Sequence, residues 1–226
     1  MFNNFKKVWI GILAVVVVIA VGASAHNTLA APAMQPSNVA AGWGNSAANS
    51  GSTEIQHQQL QSIPASEFSA DEAAGLLFMR EEEKLARDIY NQLYSLWGQP
   101  VFQNIASSEQ THMDQVKLLM DRYALTDPAL APGQFTDANF QALYNQLIAQ
   151  GSVSLTEALK VGALVEQTDI NDLKSRLTQT DNADIQLVYN NLMSASYNHL
   201  KAFTTGGGQD GGRGNGHGYG KGNTNP

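Results

Sequence analysis

Cysteine is absent from this chain of 226 residues. Without thiols there is no disulfide framework, and any bound metal must be held through oxygen and nitrogen ligands. The absence also removes the Cys nucleophile, and no Ser-containing nucleophile elbow replaces it, which argues against a nucleophilic hydrolase. Positive charge is scarce as well: 13 Lys and Arg stand against 20 Asp and Glu, for a formal net charge of -7. An acidic body argues against nucleic acid as a partner. Strand patterning is missing too, since no segment alternates apolar and polar residues for long enough.

Long apolar runs are lacking except at the start. "FKKVWIGILAVVVVIAVGASA", residues 5 to 25, places two lysines before an apolar run of about 16 residues and ends in Ala-Ser-Ala, the layout of a secretory signal cleaved after Ala25. An uncleaved membrane anchor is the alternative, and either places the remainder outside the cytoplasm. Removing residues 1–25 takes away Lys6 and Lys7 and no acid, moving the formal charge from -7 to -9. Residues 26–65 are rich in Ala, Ser, Asn, Gly and Gln and read as a flexible spacer. Residues 205–226 form a glycine-rich tail, expected to be disordered, in which His217 reads as solvated. That leaves one domain, 66–204, large enough for its own core.

Within it the pattern is helical almost throughout. Ser69-x-x-Glu72 is a capping box opening a helix that runs to about Trp97 and stops at "GQP". A second helix fits 102–124. After a long connection, Asp137 caps a shorter helix to about Gln150, and Ser154-x-x-Glu157 opens another to about 179. A last helix fits 182–204. The expected fold is all-α, a four-helix bundle with a short extra helix in the connection between the second and third long helices.

Residues three and four apart share a helix face. The first helix gives Leu76, Met79, Glu83, Ala86, Tyr90, Leu93 and Trp97, and the second gives Phe102, Ile105, Glu109, His112, Val116, Leu119 and Tyr123. The third long helix gives Leu155, Leu159, Gly162, Glu166, then Asp169 or Ile170, and Leu173. The last gives Ile185, Val188, Leu192, Ala195 or Ser196, His199 and Phe203. Every long helix therefore carries an ionisable residue on its apolar face. A lone buried carboxylate costs on the order of several kcal/mol, and a bound cation removes that cost and the mutual repulsion. Glu83, Glu109, His112, Glu166 and His199 are the candidate metal ligands. The bland alternatives are a hydrogen-bonded Glu109–His112 pair and a satisfied core imidazole at His199. Glu83 lies in a charge run with Glu81 and Glu82, which usually marks a solvated face, and Arg80 and Arg87 are within reach of it. Tyr90 and Tyr197 read as packing residues that can also donate to a ligand.

The levels are compatible along the bundle axis. Glu83 lies roughly 21 Å from the end of its helix and Glu109 roughly 10 Å from the start of the next, a mismatch of about two turns that an uneven "GQPVFQN" loop is expected to absorb in part. Glu166 lies roughly 20 Å from its helix end, and His199 roughly 25 Å into the last helix.

Glu83-x-x-Ala86-Arg87-x-x-Tyr90 and Glu109-x-x-His112 resemble the ferritin-like superfamily, rubrerythrins in particular. "MREEEKLARDIY", "SEQTHMDQV" and "NHLKAF" look more specifically like a branch known mainly as a domain of unknown function. The likeness covers about residues 70 to 204. It implies a dinuclear site with Glu83 as first-helix ligand, Glu109 as bridging carboxylate, His112 and His199 as terminal imidazoles and Glu166 as third-helix carboxylate. Ser196 stands where the last Glu is expected, and Asp169, one turn after Glu166, is the residue placed to supply the missing carboxylate. The activity implied is oxidation of Fe(II) with oxygen or peroxide at a centre of two irons, with Mn or Zn as other occupants. The expected partners are metal ions and small oxidants, the membrane only through an uncleaved N-terminal segment, with the oligomeric state open to a homo-oligomer. The rival expectations are a mononuclear metal-binding protein without turnover and a metal-free envelope module.

Overall fold

The computed structural model describes residues 58–205. The expected signal or anchor over 1–25, most of the spacer, and the glycine-rich tail with His217 lie outside the described residues. The described residues are all-helical, with α1 Ala70–Trp97, α2 Pro100–Arg122, α3 Ala138–Gly151, α4 Leu155–Leu177 and α5 Ala183–Thr205. A short helical turn over 58–62 precedes them.

The caps set these boundaries. Ser69 Oγ accepts from Glu72 N, and the Glu72 carboxylate accepts from Ser69 N, so the expected capping box is complete. Asp137 caps α3 by accepting from Asn139 N, and Ser154 caps α4 by accepting from Glu157 N. The box at Ser154 is only half used, because the Glu157 carboxylate turns to Gln150 and Lys160 instead. Gly98 ends α1 with φ 63°, a left-handed conformation that costs a glycine little, and its N–H bonds to Tyr94 O.

α2 starts at Pro100, two residues before the expected start, because proline suits a first helical position. Only Gly98 and Gln99 separate α1 from α2. The link is not an uneven loop: the earlier start recovers about 3 Å of the mismatch, and His112, three residues beyond Glu109, is the residue that meets Glu83.

α1 and α2 form one antiparallel hairpin, and α4 and α5 form another. The hairpins face each other, α1 on α4 and α2 on α5, while α3 packs against α1 and α4. Two apolar clusters result. One gathers Ile89, Tyr90, Leu93, Phe102, Phe140, Val161 and Phe203. The other gathers Leu76, Met79, Val116, Leu119, Leu173, Ile185 and Leu192. Residues 80–84 of α1, 109–112 of α2, 166–172 of α4 and 196–199 of α5 lie between them in sequence, so a polar layer separates two greasy ones. Gly162 permits the closest approach: a Cβ there would stand 2.6 Å from the Phe203 ring.

At the edges of this arrangement one expectation, the extent of the spacer, and one bland alternative, the solvated charge run, do not hold. Residues 58–62, assigned to the spacer, pack onto the helices: Leu60 is buried in the second cluster, and Arg122 donates to the carbonyls of Leu60 and Ile63. The charge run of α1 is not a solvated face, since Arg80, Glu81, Glu82, Glu83, Lys84 and Asp88 are all buried. Its cover is the connection 123–137. Arg80 makes a two-point ion pair with Asp127 and donates to Met113 O. Glu81 accepts from the backbone N–H groups of Thr136 and Asp137, ahead of α3. Lys84, with no exposed surface, donates to Asp88 and to the carbonyls of Ala131 and Gln134. Neither nearby arginine pairs with Glu83, because Arg80 is held by Asp127 and Arg87 bonds Asp88 and Gln110.

Removing one partner of a buried ion pair strands the other, at a cost of about 3–5 kcal/mol. Lys84→Met, which keeps the volume but leaves the two carbonyls without their donor and Asp88 with only Arg87 and the Gly133 N–H, is expected to destabilise the protein by about 3 kcal/mol in urea unfolding. A loss under about 0.5 kcal/mol, the range of ordinary surface substitutions, would refute this role for Lys84.

Candidate metal centre

The polar layer brings all five sequence candidates together. Glu83 from α1, Glu109 and His112 from α2, Glu166 from α4 and His199 from α5 are all buried, the most exposed being His199 at 9%. His112 Nδ1 lies 3.1 Å from Glu83 Oε2 and 2.8 Å from Glu109 Oε2. His199 Nδ1 lies 2.9 Å from Glu109 Oε1 and 3.4 Å from Glu166 Oε2. The imidazoles stack at 5.6 Å. Glu109 thus reaches both histidines, one with each oxygen.

Two compact groups of potential ligand atoms follow, Glu83 with Glu109 and His112, and Glu109 with Glu166 and His199. Glu109 belongs to both. The second group has an unusual feature: His199 Nδ1 and Glu109 Oε1 are close, yet neither has a hydrogen-bond partner of proper geometry. Such atoms approach without being aimed at each other, as do ligands aimed at a common centre. Glu83 Oε1 is likewise buried and unpartnered.

Neighbours fix these groups in place. Tyr90 donates to Glu166 Oε1 at 2.7 Å. It also packs against Phe203 in the apolar layer, as its packing reading expected. Tyr197 is exposed, with Lys174 Nζ of α4 lying 5.4 Å from its ring centroid. His199 Nε2 lies 3.0 Å from Ser108 Oγ, which holds the ring with Nδ1 toward the carboxylates. Ser196 donates to Asp169 Oδ2 at 2.6 Å, leaving Asp169 Oδ1 buried without a partner. Asp169 lies outside both compact groups, although the charges of Glu83, Glu166 and Glu109 act on it.

Sequence reasoning missed Ser108, which lies off the apolar stripe, and Glu82 and Asp172. The i, i+3 recurrence Glu166, Asp169, Asp172 was the signal for the last of these. Glu82 is buried, its Oε2 unpartnered, against the charges of Asp172 and Asp169.

The electrostatics of the layer have one logic. Burial raises Glu83 against the charge and hydrogen bond of His112, and the charge of Glu109 adds to the rise, leaving its pKa at about 7. Burial and the charge of Glu109 also raise Glu166 to about 7, against the pull of His199 and Tyr90. Burial would raise Glu109 too, but His112, through its charge and hydrogen bond, and the close approach of the His199 imidazole hold it well below the usual carboxylate range. Burial would lower His112, yet Glu109 and Glu83 push it well above its ordinary value. His199 is opposed by burial in the same way but, through Glu109 and Glu166, rises to about 9. Burial and the charge of Glu83 raise Asp169 despite the Ser196 bond. Protons thus do in the metal-free protein what a cation does in a filled site.

A family model for an uncharacterized protein domain, DUF2202, matches residues 72–219. The chain is 48% identical over 148 residues to uncharacterized protein MJ0754 of Methanocaldococcus jannaschii, covering 65% of this chain and 80% of that protein. The crystal structure of hypothetical protein MJ0754 from Methanococcus jannaschii superposes with a TM-score of 0.62 at 49% identity, covering 62% of this chain and 82% of that chain.

The shifts fix how stability depends on pH. A histidine raised from 6.5 to about 9 contributes stability that is full below its unfolded value and lost as pH rises through 9. A glutamate raised from 4.5 to about 7 carries a penalty that is absent below 4.5 and full above 7. Both slopes have the same sign. In chelator, the melting temperature is therefore expected to fall between pH 6 and pH 8, whereas the rise produced by added Mn(II) should be larger at pH 8. A chelated protein more stable at pH 8 than at pH 6 would contradict this account.

Proposed function

The chain belongs to the DUF2202 family, and from the centre it carries we propose that it is a ferritin-like four-helix-bundle metalloprotein whose dinuclear non-haem iron site oxidises Fe(II) with oxygen or peroxide. In this reading α1, α2, α4 and α5 are the bundle and α3 is the short extra helix in its long connection. One observation carries the proposal: two compact groups of ligand atoms, each with an imidazole and two carboxylates, share Glu109. A shared carboxylate between two such groups is the arrangement that two cations need, and it is the pattern of dinuclear carboxylate sites in helix bundles.

The residues fit the metal. Carboxylate and imidazole donors suit iron, manganese and zinc, and a carboxylate-rich set favours the higher iron charge. Glu83 Oε1, Glu109 Oε1 and His199 Nδ1 are buried without a hydrogen-bond partner, and each offers a lone pair to a cation once its proton has left. Bound iron would supply the one-electron couple that no side chain here has. The protein's own part is positional. His112 and His199 anchor through Nδ1, Glu109 neutralises charge on both sides, Tyr90 orients Glu166, and Ser108 orients His199. The aromatic layer of Tyr90, Phe102 and Phe203 closes one end against water.

The signal-like layout of residues 1–25 supports export, so we propose that the domain acts outside the cytoplasm on metal ions and small oxidants. Ser196 favours a second reading in which a single ion is held without turnover.

Elemental analysis after anaerobic Fe(II) loading tests these readings, with about two ions per chain expected for a dinuclear site. Peroxide should then oxidise the bound iron within seconds, followed by absorbance. Glu109→Gln is expected to bring the ratio to one or below and to abolish rapid oxidation. One ion per wild-type chain without oxidation would establish the binding protein instead, and none would leave the metal-free module.

A further inference from the structure

The buried oxygens without partners are not confined to the centre. Among the described residues they include Glu83 Oε1, Asp169 Oδ1, Glu82 Oε2 and Asp172 Oδ2, all on the facing helices α1 and α4. Asp169 and Asp172 lie one turn apart on α4, and Glu82 is next to Glu83 on α1. They act on one another in series: the charge of Glu83 on Asp169, the charges of both aspartates on Glu82, and a hydrogen bond from the Glu82 carboxyl on Asp172. Glu82 and Asp169 are 4% and 5% exposed, whereas Asp172 is only half-buried and so reaches the surface.

We propose that Asp172, Glu82 and Asp169 form the route by which a divalent cation passes from solvent between α1 and α4 to the buried centre. The inference rests on the metal-binding reading of that centre. Oxygens aimed into a buried seam with no donor to meet them are lone pairs left for a cation. Asp172, Glu82 and Asp169 do not make a compact three-ligand group, in contrast to the two groups of the centre, so they suit hand-over rather than retention. Carboxylates in file also concentrate cations at the mouth.

Other directions are less suited to an ion. The Tyr90–Phe102–Phe203 layer blocks one end, and Leu76, Met79, Val116 and Leu192 fill the other. Between α2 and α5, where His199 comes nearest to solvent, the polar neighbour is the neutral Ser108, already engaged with Nε2. Arg176, one turn past Asp172, has its guanidinium carbon over the Phe78 ring, 4.0 Å from the centroid. Its single positive charge is outnumbered by the acids of the seam.

Loading kinetics separate a route from a ligand. The full chain, stripped of metal, is mixed with cobalt(II) alone in a stopped-flow instrument, and the visible absorption of the bound ion is followed to its plateau. Asp172→Asn is expected to slow loading about tenfold, the low end of electrostatic steering effects, with the plateau, the cobalt-to-chain ratio and the melting temperature unchanged. The wild-type rate should fall as salt is raised, the variant rate should fall less, and Asp172→Glu should restore wild-type loading. An unchanged rate overturns the route, and so does a lowered plateau, which would make Asp172 a ligand. If the wild-type chain takes up no cobalt, the metal reading of the centre fails and the route fails with it. If it fills normally and only the rate prediction fails, the centre stands without this route.

Discussion

Everything in this structure answers to one constraint, the burial of carboxylates and imidazoles in a single layer between two apolar clusters. An isolated carboxylate moved into such surroundings costs on the order of several kcal/mol, and several at one level repel one another besides. Without metal the layer is kept neutral enough by protons. Glu109 stays ionised between two protonated imidazoles, while the carboxyls that flank them hold their protons to unusually high pH. The atoms that carry or receive those protons are the ones that would face cations. Proton release and metal uptake are therefore one process seen from two sides.

The surrounding helices are built to hold that layer at one height. The two-residue link at Gly98 sets the register of α1 against α2, so Glu83 and His112 meet. The connection 123–137 is then tied down across α1 by Arg80, Glu81 and Lys84. One run of charged residues performs two tasks at once: Arg80, Glu81 and Lys84 strap a loop on the outside, while Glu82 and Glu83 between them face inward. Gly162 brings α4 close to α5 at Phe203, beside the Tyr90 hydroxyl that orients Glu166.

Much of this was legible in the sequence because it depends on local rules. Ser69, Asp137, Ser154 and Gly98 are cap residues, and caps announce helix ends whatever the tertiary context. Glu83, Glu109, His112, Glu166 and His199 stood out because each interrupts an apolar step of three or four. The misreadings share a different cause. Periodicity assigns Glu81, Glu82 and Lys84 to faces of α1 but says nothing of what covers those faces, and the covering loop has no period of its own. Leu60 could not be placed for the same reason, since a single apolar residue in a polar stretch gains meaning only from the groove that receives it. The partner of Arg80 lies 47 residues away in that loop, beyond any local rule.

Ser196 is where the sequence departs from the pattern it resembles, and the structure gives the departure a physical form. A carboxylate is not simply lost from α5. The hydroxyl of Ser196 reaches across and holds Asp169 on α4, so the negative charge is displaced to the facing helix. That displacement makes the two halves of the centre unlike. The group of Glu83, Glu109 and His112 borders Asp169 and Glu82, whose charges act on it. The group of Glu109, Glu166 and His199 also feels Asp169, but where the first group has Glu82 it has the hydroxyls of Tyr90 and Ser108, which orient ligands and add no charge. In low-dielectric surroundings a neighbouring carboxylate contributes far more to a cation's stability than a neutral dipole does. Two ions in such a centre would therefore sit in unequal wells, the deeper one against α1, where the file of acids from the surface also ends.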